Sequence, residues 1–362
     1  MSAIEPVETA GLAARVEAWQ GRRALVVGDL MLDEYREGEV ERMSPEAPVP
    51  IVRVSSLRTA PGGAANVARN VASLGARCVL VGVVGRDGEG ERLFADLGEA
   101  GIDASGVIAT GSRPTTHKLR ISAGDRQVVR VDREEVAPLG ESETRRLRSA
   151  CAEAMEGADV VVLQDYGKGL LGGGLAEWIV ALARERSLPV VADPKRDLAR
   201  FRGADLVKPN AIEAEALGVA LGAGSGIGRA LLEKLREAIG GGEIVVTRGP
   251  AGITALDGAG RLIEAPTEAR EVFDVQGAGD TTLAALALAK VARASLAEAC
   301  IVANAAASVA VAKVGTAVVS VEELNARLPS VLEAFRIRRQ DDAVAAARSS
   351  RATAHEEDER RS

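Results

Sequence analysis

Asp274-Val275-Gln276-Gly277-Ala278-Gly279-Asp280-Thr281, followed at once by a long Ala/Leu-rich run of helical character, is the stretch on which the rest of the chain turns. Three small residues ahead of a carboxylate at a helix start leave backbone N–H groups pointing outward, where the helix dipole favours negative charge, so the stretch reads as an anion site. Asp280 stands beside whatever anion binds there. A carboxylate repels a resting phosphate, and it makes most sense as a base aimed at a hydroxyl that will attack that phosphate. The reading is phosphoryl transfer. The alternative is a turn followed by an Asp that caps a helix.

Working outward toward the N-terminus, the chain alternates strand and helix. Ile244-Val245-Val246-Thr247-Arg248-Gly249 is a buried strand with a polar tip, followed by a hairpin-like segment from Ile253 to Ile263. Before it come Asp205-Leu206-Val207-Lys208-Pro209-Asn210, Pro189-Val190-Val191-Ala192-Asp193-Pro194-Lys195 and Asp159-Val160-Val161-Val162-Leu163, the last ending in Gln164-Asp165-Tyr166-Gly167-Lys168-Gly169, with helices expected at 141–155 and 175–186. Three successive strands thus end in polar clusters, and the carboxyl ends of strands are where open α/β sheets bind ligands. Asn210 and Glu213, three apart at a helix start, can organise Mg²⁺ and its waters near phosphates, or can form a capping box. On the far side of the Asp280 stretch, helices are expected to about residue 335, and 336–362 alternate charge densely, as a partly disordered tail does.

The N-terminal third has a different texture. An amphipathic helix is expected over 7–19, with Val7, Leu12, Val16 and Trp19 at helical spacing. Ala24-Leu25-Val26-Val27-Gly28-Asp29 reads as a buried strand ending in a turn that carries Asp29 and Asp33; Asp33 is a candidate for holding sugar hydroxyls, and Asp29 is as readily a turn residue. Between 34 and 60 the proline-rich Ser44 to Pro50 and the alternating Ile51-Val52-Arg53-Val54 suggest an edge hairpin outside the main sheet. Pro61-Gly62-Gly63-Ala64-Ala65-Asn66 opens a helix; paired glycines let backbone approach a ligand and Asn66 can both donate to and accept from sugar hydroxyls, although a plain helix start explains the same residues. A strand from Cys78 to Val84 and a helix to Ala100 complete one βαβ unit. Residues 115–133 alternate again and are expected to pair with the 46–55 segment as a small second sheet, a flap that would exclude water from a phosphoryl-transfer site.

Bulk properties prune the partners. Lys+Arg 45 against Asp+Glu 52 gives a net charge of -7, and aromatic residues are 2% of the chain, so neither a basic field nor stacking platforms invite nucleic acid or an anionic membrane. Small molecules are the expected partners. Cys78, Cys151 and Cys300 form no CxxC motif, MSAIEPVETAG lacks the features of a secretory signal, and the apolar run from Cys300 to Ala312 is interrupted by Asn304 and too short to span a bilayer, so a cytoplasmic protein is expected. With only His117 and His355, the second in a charged tail, neither a Ser-His-Asp triad nor a His-rich zinc site is expected, and His117 reads as a hydrogen-bonded or surface residue. No Walker pattern occurs, and the Gly222–Gly228 run lacks GxGxxG spacing and reads as a loop.

Gly62-Gly63-Ala64-Ala65-Asn66, with Gly75 and Gly85 beyond it, and the Asp274–Asp280 stretch together resemble the paired motifs of the ribokinase (phosphofructokinase-B) family of carbohydrate kinases. Within that family, Arg42-Met43-Ser44-Pro45-Glu46-Ala47-Pro48-Val49-Pro50-Ile51-Val52, Asp165-Tyr166-Gly167-Lys168-Gly169 and Asp193-Pro194-Lys195 are similar to the members that act on D-glycero-β-D-manno-heptose 7-phosphate. The resemblance runs from about Arg22 to Leu328. It implies a three-layer α/β/α core with a mainly parallel sheet and a small β lid: one kinase domain over 1–335, with the lid from about 34–60 and 112–133, and the lid making a homodimer contact.

The same resemblance implies roles. Asp280 would deprotonate the anomeric C1 hydroxyl, with the N–H groups of Gly277, Ala278 and Gly279 on the moving phosphoryl group; Asp33, Gly63 and Asn66 would hold sugar hydroxyls, and Arg120 and Lys168 the sugar's 7-phosphate or the ATP phosphates. Asn210 and Glu213 would arrange Mg²⁺, Glu213 through water, while Asn210, Thr247, Gly249 and Asn304 would surround the nucleotide. ATP and Mg²⁺ are the implied cofactors, with a monovalent cation as a further candidate. The chain departs from the pattern at Gln276, where Thr is usual, and at Lys208, where a smaller polar residue is usual. No His-x-x-His motif and too few residues after 335 are present for a nucleotidylyltransferase half, so no adenylyltransferase activity is expected. The alternatives are a kinase for another phosphosugar or a nucleoside, and a non-catalytic sugar or nucleotide sensor.

Overall fold

Strands built almost wholly of Val, Ile, Leu and Ala must be covered on both faces, and the parallel sheet of this protein is. The computed structural model describes residues 7–124, 126–224, 226–267 and 272–335. The charged tail at 336–362, with His355, lies outside the described residues, as does Ser225 of the glycine-rich loop. Helix α1 (Thr9–Glu17) leads into β1 (Arg23–Gly28), a long hairpin of β2 (Leu30–Met43) and β3 (Pro50–Gly63), α2 (Ala64–Ser73), β4 (Arg77–Gly85), α3 (Gly88–Glu99) and β5 (Asp103–Thr110). A second hairpin, β6 (Thr116–Ala123) and β7 (Arg126–Arg133), precedes α4 (Glu141–Ala154), β8 (Val160–Gln164), α5 (Leu175–Glu185), β9 (Val190–Asp193), β10 (Leu206–Val207), α6 (Ala211–Ala220) and α7 (Arg229–Ile239). Then come β11 (Glu243–Thr247), β12 (Ile253–Leu256), β13 (Leu262–Ala265), α8 (Ala278–Val291) and α9 (Leu296–Ala310), with further helix at 321–335.

The large sheet runs β13-β12-β11-β10-β9-β8-β1-β4-β5, parallel from β5 to β11, with β12 and β13 added antiparallel at one edge. One face packs on α1, α2, α3, α8 and α9, the other on α4, α5, α6 and α7. The three layers expected from the sequence are therefore present. Helix α8 is buried from Asp280 through Ala289, which explains why its sequence shows no polar face. Each of its fully buried leucines contributes about 1.5–3 kcal/mol by leaving water. Among the described residues, no helix is long and apolar enough to cross a membrane.

The small sheet runs β3-β2-β6-β7. Its hairpins are antiparallel, but β2 and β6 are parallel, pairing Met31–Gly38 with Thr116–Ala123, so β6 meets β2 rather than the 46–55 segment. Two boundaries also differ from the sequence reading. Asp33 lies inside β2, not in a turn after β1, and Gly62 and Gly63 are the last residues of β3, Gly63 also standing at the cap position that opens α2. Of the two carboxylates that suggested a turn, Asp33 is paired with Arg120 inside the sheet and Asp29 accepts from the backbone N–H groups of Tyr166, Lys168 and Leu170. The paired glycines make room for the chain itself, since a Cβ on Gly62 would strike the Asp33 carboxylate and one on Gly63 the Asp29 carbonyl. Strand β5 and helix α7 are elements that the sequence reading leaves unassigned.

Candidate active site

The polar tips of β8 to β11 and the first turn of α8 surround a cavity of 620 Å³. Asp280 is the third residue of α8 and caps nothing. Its Oδ2 accepts from Asn66 Nδ2 at 2.8 Å, and its Oδ1 from Gln164 Nε2 at 3.0 Å and the Tyr166 hydroxyl at 2.9 Å. All three donors are neutral. Burial pushes the Asp280 carboxyl up to about 7, while the Asn66 and Tyr166 hydrogen bonds pull the other way. Tyr166 remains a donor because burial, reinforced by the Asp280 charge, holds its phenol well above the ordinary range.

A second layer fixes these partners. Asn70 Nδ2 donates to the Asn66 carbonyl, and Thr281 Oγ1 donates to Asn70 Oδ1, which ties α2 to α8. Asn66 is wholly buried, so it orients Asp280 rather than facing open solvent. Asp29 accepts from the backbone N–H groups of Tyr166, Lys168 and Leu170, shaping the loop that carries Tyr166.

The turn before α8 has the form of an anion cradle. Gly277 takes a left-handed backbone (φ 77), a Cβ there would come within 2.8 Å of Asn66 Nδ2, and Ala278 and Gly279 open the helix. Lys208, only 2% exposed, lies beside it: a Cβ on Gly279 would be 3.8 Å from its ammonium. That ammonium is paired with Asp193 at 2.9 Å, and burial lifts Asp193 to about 6 despite this partner. Asp274 bonds the N–H groups of Gln276 and Gly315, and Gln276 Oε1 accepts from the Tyr35 hydroxyl of the small sheet at 2.8 Å.

The remaining nominated residues fall into two groups. Asn210, Glu213, Thr247, Gly249 and Asn304 all line the cavity with Asp280. Asn210 and Glu213 form the capping box, and Glu213 Oε1 also pairs with Lys195 at 2.5 Å. Asn304 donates to the Pro266 carbonyl at 2.5 Å. The residues nominated for the sugar do not line this cavity; Asp33 pairs with Arg120 at 2.5 Å and Lys168 with Glu134 at 2.7 Å, while Asn66 donates to Asp280. The sequence reading does not nominate Gln164, Tyr166 or Asp193 individually, and treats Lys208 only as a departure, although all four occupy the strand tips it singles out.

A buried carboxylate above an anion cradle, at the carboxyl edge of a parallel sheet and beside a small second sheet, defines a phosphotransferase site. The chain belongs to the pfkB family of carbohydrate kinases, which residues 22–323 match, and is thus a phosphotransferase with a sugar hydroxyl as acceptor. It is 44% identical over 306 residues to the bifunctional protein HldE of Gluconacetobacter diazotrophicus, covering 84% of this chain and 63% of that protein. To the protein of the same name from Caulobacter vibrioides it is 45% identical over 318 residues, 87% of this chain and 65% of the relative. The chain spans a little under two thirds of these curated relatives' length. Among solved structures it is similar to phosphofructokinase-2 from Escherichia coli in complex with potassium (TM-score 0.70, 22% identity, 86% of this chain and 99% of that one). A similar likeness is found to Arabidopsis thaliana ribokinase complexed with ribose and ATP (TM-score 0.65, 21% identity, 86% and 99%). These two likenesses show the ribokinase-like fold.

Proposed function

We propose that the protein uses ATP to phosphorylate the anomeric C1 hydroxyl of D-glycero-D-manno-heptose 7-phosphate, giving heptose 1,7-bisphosphate for ADP-heptose and the lipopolysaccharide core, in the cytoplasm. The observation that carries a kinase reading is the buried Asp280 carboxyl, held by three neutral donors and lifted to about 7. At neutral pH a large fraction of it is ionised, and it is a stronger base than an ordinary aspartate. Asp280 takes the proton from the C1 hydroxyl as that oxygen bonds to the γ-phosphorus; the bond from phosphorus to the bridging oxygen breaks and ADP leaves with its electron pair. The N–H groups of Gly277, Ala278 and Gly279, with the nearby Lys208 ammonium, stabilise charge on the moving phosphoryl group.

The substrate reading is supported by the similarity of residues 42–52, 165–169 and 193–195 to heptose 7-phosphate kinases. Asp33, Gly63 and Asn66 then belong to the sugar side, with Arg120 and Lys168 toward the phosphate, while Asn210, Thr247, Gly249 and Asn304 surround the nucleotide in the cavity they line. Mg²⁺ fits these residues as an ion held chiefly by phosphates and water: among the described residues no cluster of three metal-ligating side chains occurs, but Asp193 and Glu213 offer carboxylates to its waters. Bound there, it would neutralise phosphate charge. A monovalent cation beside the Asp274 loop completes the cofactor reading, and turnover with and without potassium tests it. The small sheet would act as the lid and the homodimer contact, a reading supported by exposed Val40, Val54, Leu57, Val129 and Val131.

ADP release from the purified protein with ATP, Mg²⁺ and heptose 7-phosphate, run beside fructose 6-phosphate and ribose, tests the assignment. Turnover confined to the heptose phosphate is expected. Preference for either other sugar would replace the substrate, and turnover with none of them, alongside binding of ATP and sugar phosphate, would favour a sensor.

A further inference from the structure

Residues two apart in a strand share a face. On the small sheet, Asp33 and Tyr35 of β2 lie opposite Lys118 and Arg120 of β6, and all four share the face from which Tyr35 reaches Gln276 before α8. Arg120 is occupied by Asp33. Lys118 and Lys168 instead both reach Glu134, whose Oε1 is 2.7 Å from Lys168 Nζ and whose Oε2 is 3.7 Å from Lys118 Nζ; the Lys118 ammonium also donates to Asp132 Oδ2 at 3.3 Å, a carboxylate that Arg130 pairs with at 2.9 Å. The two lysine side chains are only 16% and 15% exposed. They come from distant parts of the chain, and Lys168 stands two residues after the tyrosine that donates to Asp280.

Glu134 belongs to neither sheet. It lies just beyond β7, in the connection to α4, which packs directly on the Lys168 loop. Arg113 donates to the carbonyls of both Lys168 and Ala137, and Gly169 permits the close approach, since a Cβ on it would collide with the Ala137 carbonyl oxygen. With Asp132 held to one side by Arg130, the Glu134 carboxylate is the acceptor that lies between the two largely covered ammonium groups, a position that suits a phosphate monoester. The Glu134 side chain is 28% exposed and can swing into water.

We propose that Glu134 is an internal occupant of the subsite for the phosphosugar's distal phosphate, formed by Lys118 and Lys168, and that the substrate's phosphate displaces it. The proposal rests on the reading of a phosphorylated sugar substrate given above. A phosphate monoester carries about -1.5 to -2 charge at neutral pH, so it binds the two ammonium groups more strongly than the single-charged carboxylate does. An unphosphorylated sugar leaves Glu134 in place, so the exchange selects for phosphorylated substrates. Lys118 becomes a specificity-determining residue, and Glu134 sets the threshold that a ligand must exceed.

The test is calorimetric titration of the full chain with inorganic phosphate, in the presence of Mg²⁺ and a saturating non-hydrolysable ATP analogue that fills the α8 cradle. If Glu134 fills the subsite nine-tenths of the time, as a rough figure, Glu134→Gln tightens phosphate binding about tenfold and lowers KM for heptose 7-phosphate in parallel, with KM for ATP unchanged. Lys118→Met and Lys168→Met weaken phosphate binding, and Lys118→Arg retains it. Unchanged or weaker phosphate binding by Glu134→Gln, at unaltered melting temperature, overturns the proposal, as does full binding by Lys118→Met. Tighter phosphate binding by Glu134→Gln without turnover of heptose 7-phosphate keeps the subsite and rejects the sugar.

Discussion

Asp280 and Asp33 are both 4% exposed, yet the large sheet and the small sheet treat them in opposite ways. At the end of the large sheet, Asp280 meets an amide from α2, an amide from β8 and a phenol, all neutral, and burial lifts its carboxyl to about 7. On the small sheet, Asp33 meets the permanent charge of Arg120 at 2.5 Å. Without a permanent positive charge in contact with it, the buried Asp280 carboxylate has its desolvation offset only in part by hydrogen bonds, whereas Asp33 is held in a fixed ion pair. On the proposed function, the large sheet would carry the chemistry and the small sheet the recognition.

The strongest way to break this division is Asp280→Asn. We expect kcat/KM to fall by about 10²–10⁴, with little change in nucleotide affinity measured by titration. In the wild type, kcat/KM should drop tenfold per pH unit below about 7 as the base becomes protonated. Stability runs in the other direction. Because the folded carboxyl binds its proton more tightly than the unfolded one, whose ordinary value is 3.8, the wild type loses stability as pH rises from about 4 to about 7. The asparagine variant lacks that contribution, so its melting temperature should decline less over the same range. An equal decline would mean that Asp280 is ionised throughout.

Asp33→Asn probes the other side at smaller amplitude. The expected result is a rise in KM for the sugar of about tenfold, from a weakened hydroxyl acceptor and an unbalanced Arg120, with the acid limb of kcat/KM still near 7. Movement of that limb would show that the small sheet tunes the base.

The large sheet was legible because its strands are continuous apolar runs, and Asp280 because glycine, alanine and a following helix leave few other uses for it. The small sheet was harder. Strand β2 hides its start behind Asp29 and Asp33, which suggest a turn until the Arg120 partner of Asp33 on β6 is known, and a parallel pairing between two hairpins leaves no local signature. Gln164 and Tyr166 were visible as polar strand tips, but their aim at Asp280 follows only from the register of β8 beside β1 and the loop shaped by Asp29. Asn210 and Glu213 fit two readings equally well in sequence; their reciprocal bonds form the capping box, and both still border the cavity.

The finest test concerns the hydrogen bond from the Tyr35 hydroxyl of the small sheet to the side chain of Gln276, one of the two residues at which the sequence departs from the motif it resembles. Tyr35→Phe removes the bond to Gln276 Oε1 but keeps the aromatic ring, over which the Arg58 guanidinium lies 3.7 Å from the centroid. A part-buried neutral hydrogen bond contributes about 1 kcal/mol, so a change of roughly fivefold in KM for the sugar is expected, with kcat nearly unchanged. If Tyr35→Phe lowered kcat tenfold or more, seating of the small sheet would also set the geometry of the Gly277–Gly279 cradle. Recognition and chemistry would then be coupled through Gln276, and the division between the two sheets would fail at this contact.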